Sequence, residues 1–165
     1  MKNYIFSACV LLTFAVLISA CKGDTGDDPT PAELQTQALT GDYKATSSKT
    51  WSVSNVTFEG FEDRTADWSG FTVTVSSNPN GNNEYTTSGA FSPGPWPTSG
   101  TWRFGGTADN PNINKVIRDS SPEELDIAIT VNNSQLVMIF TFDDAVHRSG
   151  RIEEVNGEYT FTFSN

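Results

Sequence analysis

The sequence predicts an all-β protein, an antiparallel meander closed into a barrel of about eight to ten strands. Apolar residues alternate strictly with threonine in Phe71–Val75 and Tyr159–Phe163. A side-chain period of two is typical of a strand with one buried and one solvent-exposed face. Clusters rich in asparagine, glycine and aspartate separate such segments and favour tight turns. Closing the meander into a barrel would remove exposed strand edges. A two-sheet β-sandwich is the alternative.

One short helix is predicted at the start of the folded region. Thr30 can cap this helix, Pro31 suits its first position, and Glu33 stands where a capping box requires an acid. Gly41 can end it. We expect roughly one or two helical turns, which are a candidate to cover the outer face of Leu136–Phe142, a segment apolar on both sides.

Further strands and turns follow in order along the chain. Leu125–Val131 alternates clearly, and Asn132–Asn133 suits a hairpin turn into the next strand. The apolar phase changes within Trp51–Phe58, which predicts a bulge or bend near Asn55. Less regular strands are predicted at Tyr43–Ser47, Glu84–Ser88, Thr101–Phe104, Lys115–Arg118 and Arg151–Val155. Turns are predicted at Asn78–Asn83, Gly105–Gly106, Asp109–Asn114, Asp143–Ser149 and Asn156–Gly157.

The amino-terminal segment has the composition of a secretory signal. Lys2 gives a positive start, residues 4–18 are almost continuously apolar, and the sequence Ile18-Ser19-Ala20-Cys21 follows. This pattern resembles the lipobox of bacterial lipoproteins, in which the signal is cut before a cysteine that becomes acylated. The resemblance implies cleavage between Ala20 and Cys21 and lipidation of Cys21.

Two other interpretations of this segment are open. A transmembrane anchor needs about 20 apolar residues, whereas the run before Cys21 is shorter and is followed by acidic residues. An ordinary cleaved signal would leave Cys21 as an incidental thiol. Cys9 lies within the signal, so either form of cleavage excludes a disulfide within one mature chain. The predicted organisation is a signal peptide over residues 1–20, a flexible acidic tether over 21–30 and a β-domain over 31–165.

The composition of the tether predicts the cellular location of the protein. Residues 22–30 contain three aspartates and no side chain suited to a core, which favours disorder. An acidic run after a lipidated cysteine resembles the export signal of surface lipoproteins of the Bacteroidota. The resemblance implies a lipid anchor in the outer membrane with the domain on the extracellular face. The periplasmic face is the alternative.

The β-domain also resembles a family. Gly41-Asp42-Tyr43 is similar to the G-x-W entry of lipocalins, with tyrosine in place of tryptophan. Ser99-Gly100-Thr101-Trp102, Gly150-Arg151 and an aromatic last strand are similar to short lipocalin-like lipoproteins of the Bacteroidota. The resemblance covers about residues 39–165. It implies a lipocalin-like barrel of about eight strands or slightly more, with an internal cavity, in a family whose members mostly lack an assigned activity.

Composition excludes several classes of function. The net charge of −10 opposes nucleic-acid binding, which needs a basic surface. His147 is the only histidine, so a histidine-rich zinc site is excluded, and no glycine-rich loop opens a helix for a nucleotide cofactor. We therefore predict no metal and no cofactor. Adjacent acids such as Asp143-Asp144 would point to opposite faces of a strand, so we predict a non-enzymatic protein; a carboxylate-dependent hydrolase is the alternative.

Four aromatic residues are the candidate ligand-binding residues: Trp68, Phe91, Trp96 and Trp102. Trp96 lies in the proline-rich segment Ser92–Pro97, which cannot be a central strand. An indole held at the barrel mouth could stack on a sugar or close a cavity over an apolar ligand. The alternative is that these tryptophans are core residues and that Trp96 plugs one end of the barrel.

We therefore expect a binding module of one of two kinds. The first captures a small apolar or amphipathic molecule in the barrel, which requires a cavity of roughly hundreds of Å³. The second is an accessory protein of an envelope or glycan-uptake complex. It has a filled barrel and contacts a glycan or a protein partner through its aromatic loop.

Overall fold

The computed structural model describes residues 28–90, 96–120, 123–142 and 156–165, and most of them are in β-strands. The helix α1 (Pro31–Thr40) comes first, and a 3₁₀ turn (Thr65–Trp68) follows the second strand. The strands are β1 (Ser47–Phe58), β2 (Glu62–Asp63), β3 (Thr72–Ser77), β4 (Asn83–Ser88), β5 (Ser99–Thr107), β6 (Asn110–Ser120), β7 (Glu123–Val131), β8 (Gln135–Phe142) and β9 (Gly157–Ser164).

Eight of these strands close into an antiparallel barrel. The hydrogen-bonded order is β1, β3, β4, β5, β6, β7, β8, β9, and β9 returns to pair with β1. β2 is a short extra strand beside the end of β1. The predicted all-β meander, closed into a barrel rather than split into a sandwich, is confirmed. The predicted strand Arg151–Val155 and the predicted turn Asp143–Ser149 lie outside the described residues.

Closure depends on β1, which pairs with two different strands. Its first half pairs with β3 and its second half with β9, and the register with β9 shifts between Val53 and Asn55. Trp51 and Val56 are both buried, although residues five apart in a regular strand face opposite sides. The shift in register turns Val56 to the same inward face as Trp51. The bulge predicted near Asn55 is therefore confirmed.

Aromatic rings fill much of the barrel interior. β9 places Tyr159, Phe161 and Phe163 inward at every second position, and all three are buried. Phe140 stacks on Phe161 with ring centroids 5.6 Å apart, and Trp68 meets Phe161 edge-on at 4.7 Å. Each such pair adds about 0.5–1.5 kcal/mol beyond the burial of its area. Aromatic packing therefore contributes strongly to the stability of the barrel.

The helix α1 begins and ends as its capping residues predict. The Thr30 hydroxyl accepts a hydrogen bond from the Glu33 backbone N–H, and the Glu33 carboxylate accepts one from the Thr30 N–H at 2.7 Å. Gly41, at φ 98°, forms the C-cap. The helix has ten residues, or about three turns, and is longer than expected. Within the described ranges no helix is long and apolar enough to span a bilayer.

The position of α1 differs from the prediction. The helix lies across one end of the barrel, against β1, β3, β6 and β7, rather than over the outer face of β8. Leu39 is 1% exposed, and Trp51 Nε1 donates to the Leu39 carbonyl at 3.0 Å. Ile139, on the outer face of β8, stays 39% exposed. At the barrel end α1 packs against several strands at once, and burial of apolar surface there favours this position.

The strand predicted at Tyr43–Ser47 is wrong, because only Ser47 belongs to β1. Side-chain hydrogen bonds hold the preceding residues in bends. The Asp42 carboxylate accepts from the Lys44 N–H at 2.7 Å, and the Ser47 hydroxyl bonds to the carbonyls of Thr40 and Asp42. Local polar contacts thus compete successfully with the strand.

The hairpin of β5 and β6 is longer than the sequence predicts. The predicted turn Asp109–Asn114 is wrong beyond Asp109, because β6 begins at Asn110. The predicted turn Gly105–Gly106 is also wrong, since both glycines lie within β5 at a shift in register. Gly106 has φ +78°, and a Cβ there would lie 2.5 Å from the Asn110 carbonyl oxygen. Glycine lets the two strands continue past the irregularity.

Candidate functional site

A small cavity lies inside the barrel against α1. Its volume, measured as the space open to the centre of a water molecule, is about 30 Å³, roughly twice what one water needs. Side chains from α1, from strands β3 to β8 and from the segment before β5 line it: Leu39, Val73, Val75, Tyr85, Trp96, Trp102, Val116, Arg118, Ile127 and Met138.

This cavity is much smaller than the pocket expected for a ligand of ordinary size. Such pockets enclose about 300–1,000 Å³, at least tenfold more than the cavity in the barrel. Aromatic rings occupy the remaining interior: the Trp96 ring centroid lies 5.7 Å from that of Phe71 and 5.5 Å from that of Phe140. The barrel is therefore filled, except for a space suited to a few atoms.

Three of the four candidate binding aromatics are buried. Trp68, Trp96 and Trp102 are 1%, 6% and 4% exposed, so none presents an open ring face to a sugar. This favours the core interpretation of all three, and of Trp96 as a plug. Trp96 and Trp102 line the cavity, and their role in binding stays a prediction. Phe91 lies outside the described residues, as do Ala20 and Cys21.

Trp96 differs from two other buried indoles in what its N–H contacts. Trp51 Nε1 and Trp102 Nε1 each donate to a backbone carbonyl at 3.0 Å, those of Leu39 and Ser76. Within the part of the chain that the structure describes, Trp96 Nε1 is buried and donates no hydrogen bond. A buried unsatisfied donor costs about 1–3 kcal/mol. An acceptor placed in the cavity beside Trp96 would offset part of that cost.

Arg118 brings a positive charge into the same interior. Its side chain enters from β6, between Trp102 of β5 and Leu125 of β7, and is 4% exposed. The guanidinium carbon lies 5.9 Å from the centroid of the Trp96 ring. Burial lowers the pKa of Arg118, and the neighbouring Tyr85 acts in the opposite direction. Arginine keeps its charge under these conditions, so the apolar cavity has a cation in its wall.

Arg118 is the site residue that the sequence did not reveal. Val116 and Arg118 are two apart, so an inward Val116 places Arg118 inward as well. Ile117, between them, is also apolar and also buried. The apolar pattern of β6 is therefore compatible with either face of the strand turned inward. Its pairing with Trp102 and Leu125 decides that the face of Arg118 points into the barrel.

The described acids do not converge on the cavity. Glu62 and Asp63 lie exposed in β2, and Glu62 pairs with Arg64 at 3.0 Å. Among the described residues no group of three histidine, cysteine, aspartate or glutamate side chains could hold a metal ion. His147 and Asp143-Asp144 lie outside the described residues, and the absence of enzymatic activity stays a prediction.

Comparison with known proteins does not assign the chain to a family. No family model, curated protein or solved structure matches it. The closed barrel of eight antiparallel strands is consistent with the lipocalin-like form implied by the resemblance. Membership of the lipocalin-like lipoproteins stays a prediction.

Proposed function

We propose that this chain is a lipid-anchored binding module of the outer membrane, displayed on the extracellular face, which holds a small amphipathic molecule inside its barrel. The observation that supports binding is the cavity against α1, where apolar walls meet the guanidinium of Arg118 and the buried indole of Trp96. Ligand sites typically combine mainly apolar walls with a few placed polar groups.

The size of the cavity limits the ligand. About 30 Å³ corresponds to roughly two water molecules, so a long acyl chain or a sterol does not fit among the side chains as placed. The proposed ligand is therefore a molecule of few non-hydrogen atoms, with an apolar part and a polar group.

The proposed anchor is an acylated Cys21, supported by the small residues before it and the acidic run after it. Residues 22–30 span at most about 30 Å when fully extended. An anchored barrel would therefore stay close to the bilayer surface, with α1 as the first folded element after the lipid.

Cys21→Ala tests the anchor. This variant should leave the signal uncut or release the protein from membranes, as measured by cell fractionation and by mass spectrometry of the mature amino terminus. Cys9→Ala, within the apolar part of the signal, is the matched control and should keep normal anchoring. Normal processing with unchanged membrane fractionation of Cys21→Ala would contradict lipidation. Protease access in intact cells separates the extracellular from the periplasmic face.

Val75→Leu tests binding in the cavity. Val75 is buried and lines the cavity, so an added methylene should occupy space that the ligand needs and weaken small-molecule binding measured by calorimetry. Val53→Leu makes the same chemical change at a half-buried position of β1 that is not in the cavity lining. Equal affinities of the two variants would contradict the proposed site.

A second candidate function, that of an interaction protein, is favoured by the filled interior. Among the described residues, an exposed aromatic side chain available for such contacts is that of Phe61, which is 84% exposed in the turn between β1 and β2. On this alternative the partner is a glycan or a protein of the envelope, and Val75→Leu leaves its binding unchanged.

A further inference from the structure

We propose that the cavity binds the carboxylate of a short-chain monocarboxylic acid, with Arg118 and the Trp96 N–H at the carboxylate and apolar side chains around the alkyl chain. The inference rests on the proposed binding function and adds the charge and the size of the ligand.

The polar groups around the cavity are suited to an anion that only accepts hydrogen bonds. Arginine and tryptophan side chains are donors without acceptor capacity, whereas a tyrosine hydroxyl can do both. Of these groups, the Trp102 N–H already bonds to the Ser76 carbonyl. Among the described residues that line the cavity, no side chain is an acid or an amide. A carboxylate, which is acceptor-only when ionised, complements Arg118, Trp96 and Tyr85.

The charge of Arg118 gives the stronger argument. A guanidinium in an apolar interior attracts an anion more strongly than one in water, because the effective dielectric constant there is lower. It carries five N–H donors in a planar fork, so it can serve more than one partner at once and can hold a carboxylate through two parallel bonds. The Trp96 ring, 5.9 Å from the guanidinium carbon, contributes to holding it in place.

The volume limits the length of the acid. Acids of about two to four carbons have about four to six non-hydrogen atoms, more than the roughly two water molecules that the space holds, so the proposal requires the lining side chains to move slightly apart around the ligand. The alkyl part would contact Val73, Val75, Ile127 and Met138, which lie in the same lining. Each methylene added within the cavity should tighten binding roughly fourfold. Longer chains should bind worse, because the surrounding side chains are already packed.

The first experiment compares ligands on the processed protein purified in detergent with its own amino terminus. Calorimetry with acetate, propionate and butyrate should show increasing affinity, and octanoate should bind more weakly than butyrate. Butyramide has the size of butyrate without its charge and should bind at least about tenfold more weakly. Equal affinity for butyrate and butyramide would overturn the inference but leave the cavity-binding function intact. Absence of binding by every compound would overturn both.

The second experiment removes the proposed donors. Arg118→Met keeps a long unbranched side chain without the charge and should abolish the preference for butyrate over butyramide. Arg103→Met, at an exposed position of β5, should leave the preference unchanged. A preference that survives Arg118→Met in a folded protein, checked by near-ultraviolet circular dichroism, overturns the inference.

A further variant keeps the test decisive if Arg118→Met does not fold. Trp96→Phe removes only the indole N–H and part of the ring, and should weaken butyrate binding several-fold more than butyramide binding. Trp51→Phe removes a buried N–H that is already bonded to the Leu39 carbonyl, at a residue that does not line the cavity, so it should lower the melting temperature without changing the preference. The same preference in Trp96→Phe and Trp51→Phe would exclude Trp96 as a donor to the ligand and refute the arrangement.

Discussion

Leu39→Ala should lower the free energy of unfolding by about 3 kcal/mol, because Leu39 is the apolar side chain through which α1 packs into the barrel end. Leu39 is 1% exposed, and replacing a fully buried leucine by alanine costs about 2–5 kcal/mol. The residue already borders a cavity of about 30 Å³, so part of its surface lacks packing partners. The lower half of the range is therefore expected.

Urea unfolding followed by tryptophan fluorescence measures this change. All four tryptophans are buried, so unfolding should shift their emission strongly. With a denaturant dependence of about 1–3 kcal/mol per molar urea, the midpoint should fall by roughly 1–3 M.

Leu34→Ala is the matched control for this prediction. It makes the same chemical change on the same helix at a position that is 51% exposed, and should cost no more than about 0.5 kcal/mol. If the two variants lost the same stability, α1 would not be packed into the barrel end, and the cavity would lack the wall that Leu39 provides.

Two further predictions concern local backbone features. Hydrogen bonds from the Thr30 backbone and then from its side chain hold the pKa of Glu33 below its usual 4.5. Because the folded pKa is depressed, this contribution is present above the unfolded pKa and is lost as pH falls through the folded one. Glu33→Ala removes the carboxylate that accepts these hydrogen bonds, so it should lower the melting temperature at neutral pH and less so in acid; a difference independent of pH would argue against the capping box. Gly89→Ala should cost about 1–3 kcal/mol, because Gly89 has φ +74° and its Cβ would lie 2.5 Å from the Gly70 carbonyl oxygen. Gly60→Ala has a similar φ of +75° and nothing within 4 Å, so calorimetry should show the smaller loss there, and the opposite order would contradict the close approach of the two chain segments.

Several elements of the fold could be predicted because their causes lie within a few residues. The capping box needs only Thr30 and Glu33, three positions apart, and both of its hydrogen bonds are present. The alternation in Tyr159–Phe163 is sufficient for a strand with one buried face, and the phase change in β1 is sufficient for a bulge. Such signals involve side chains that contact their own backbone or their near neighbours.

The candidate site could be predicted only in part. The sequence identifies Trp96 and Trp102 as candidate ligand-binding residues and predicts a surface or barrel-mouth position for Trp96, whereas both are buried in the wall of a small cavity. Trp68 was identified in the same way and does not line the cavity. A tryptophan has the same local signature whether its ring packs against protein or faces a ligand, so the sequence alone left both interpretations open.

The sequence by itself determined the strand-rich meander, the capped helix and the acidic charge, since each follows from residue types at short spacing. Only the tertiary structure decided that α1 closes the barrel end, that Arg118 faces inward, and that the interior keeps a space of about 30 Å³. The physical reason is that these features depend on contacts between distant segments. Arg118 lies between Trp102 and Leu125 on neighbouring strands, and the volume beside it depends on side chains from one helix and six strands packing together.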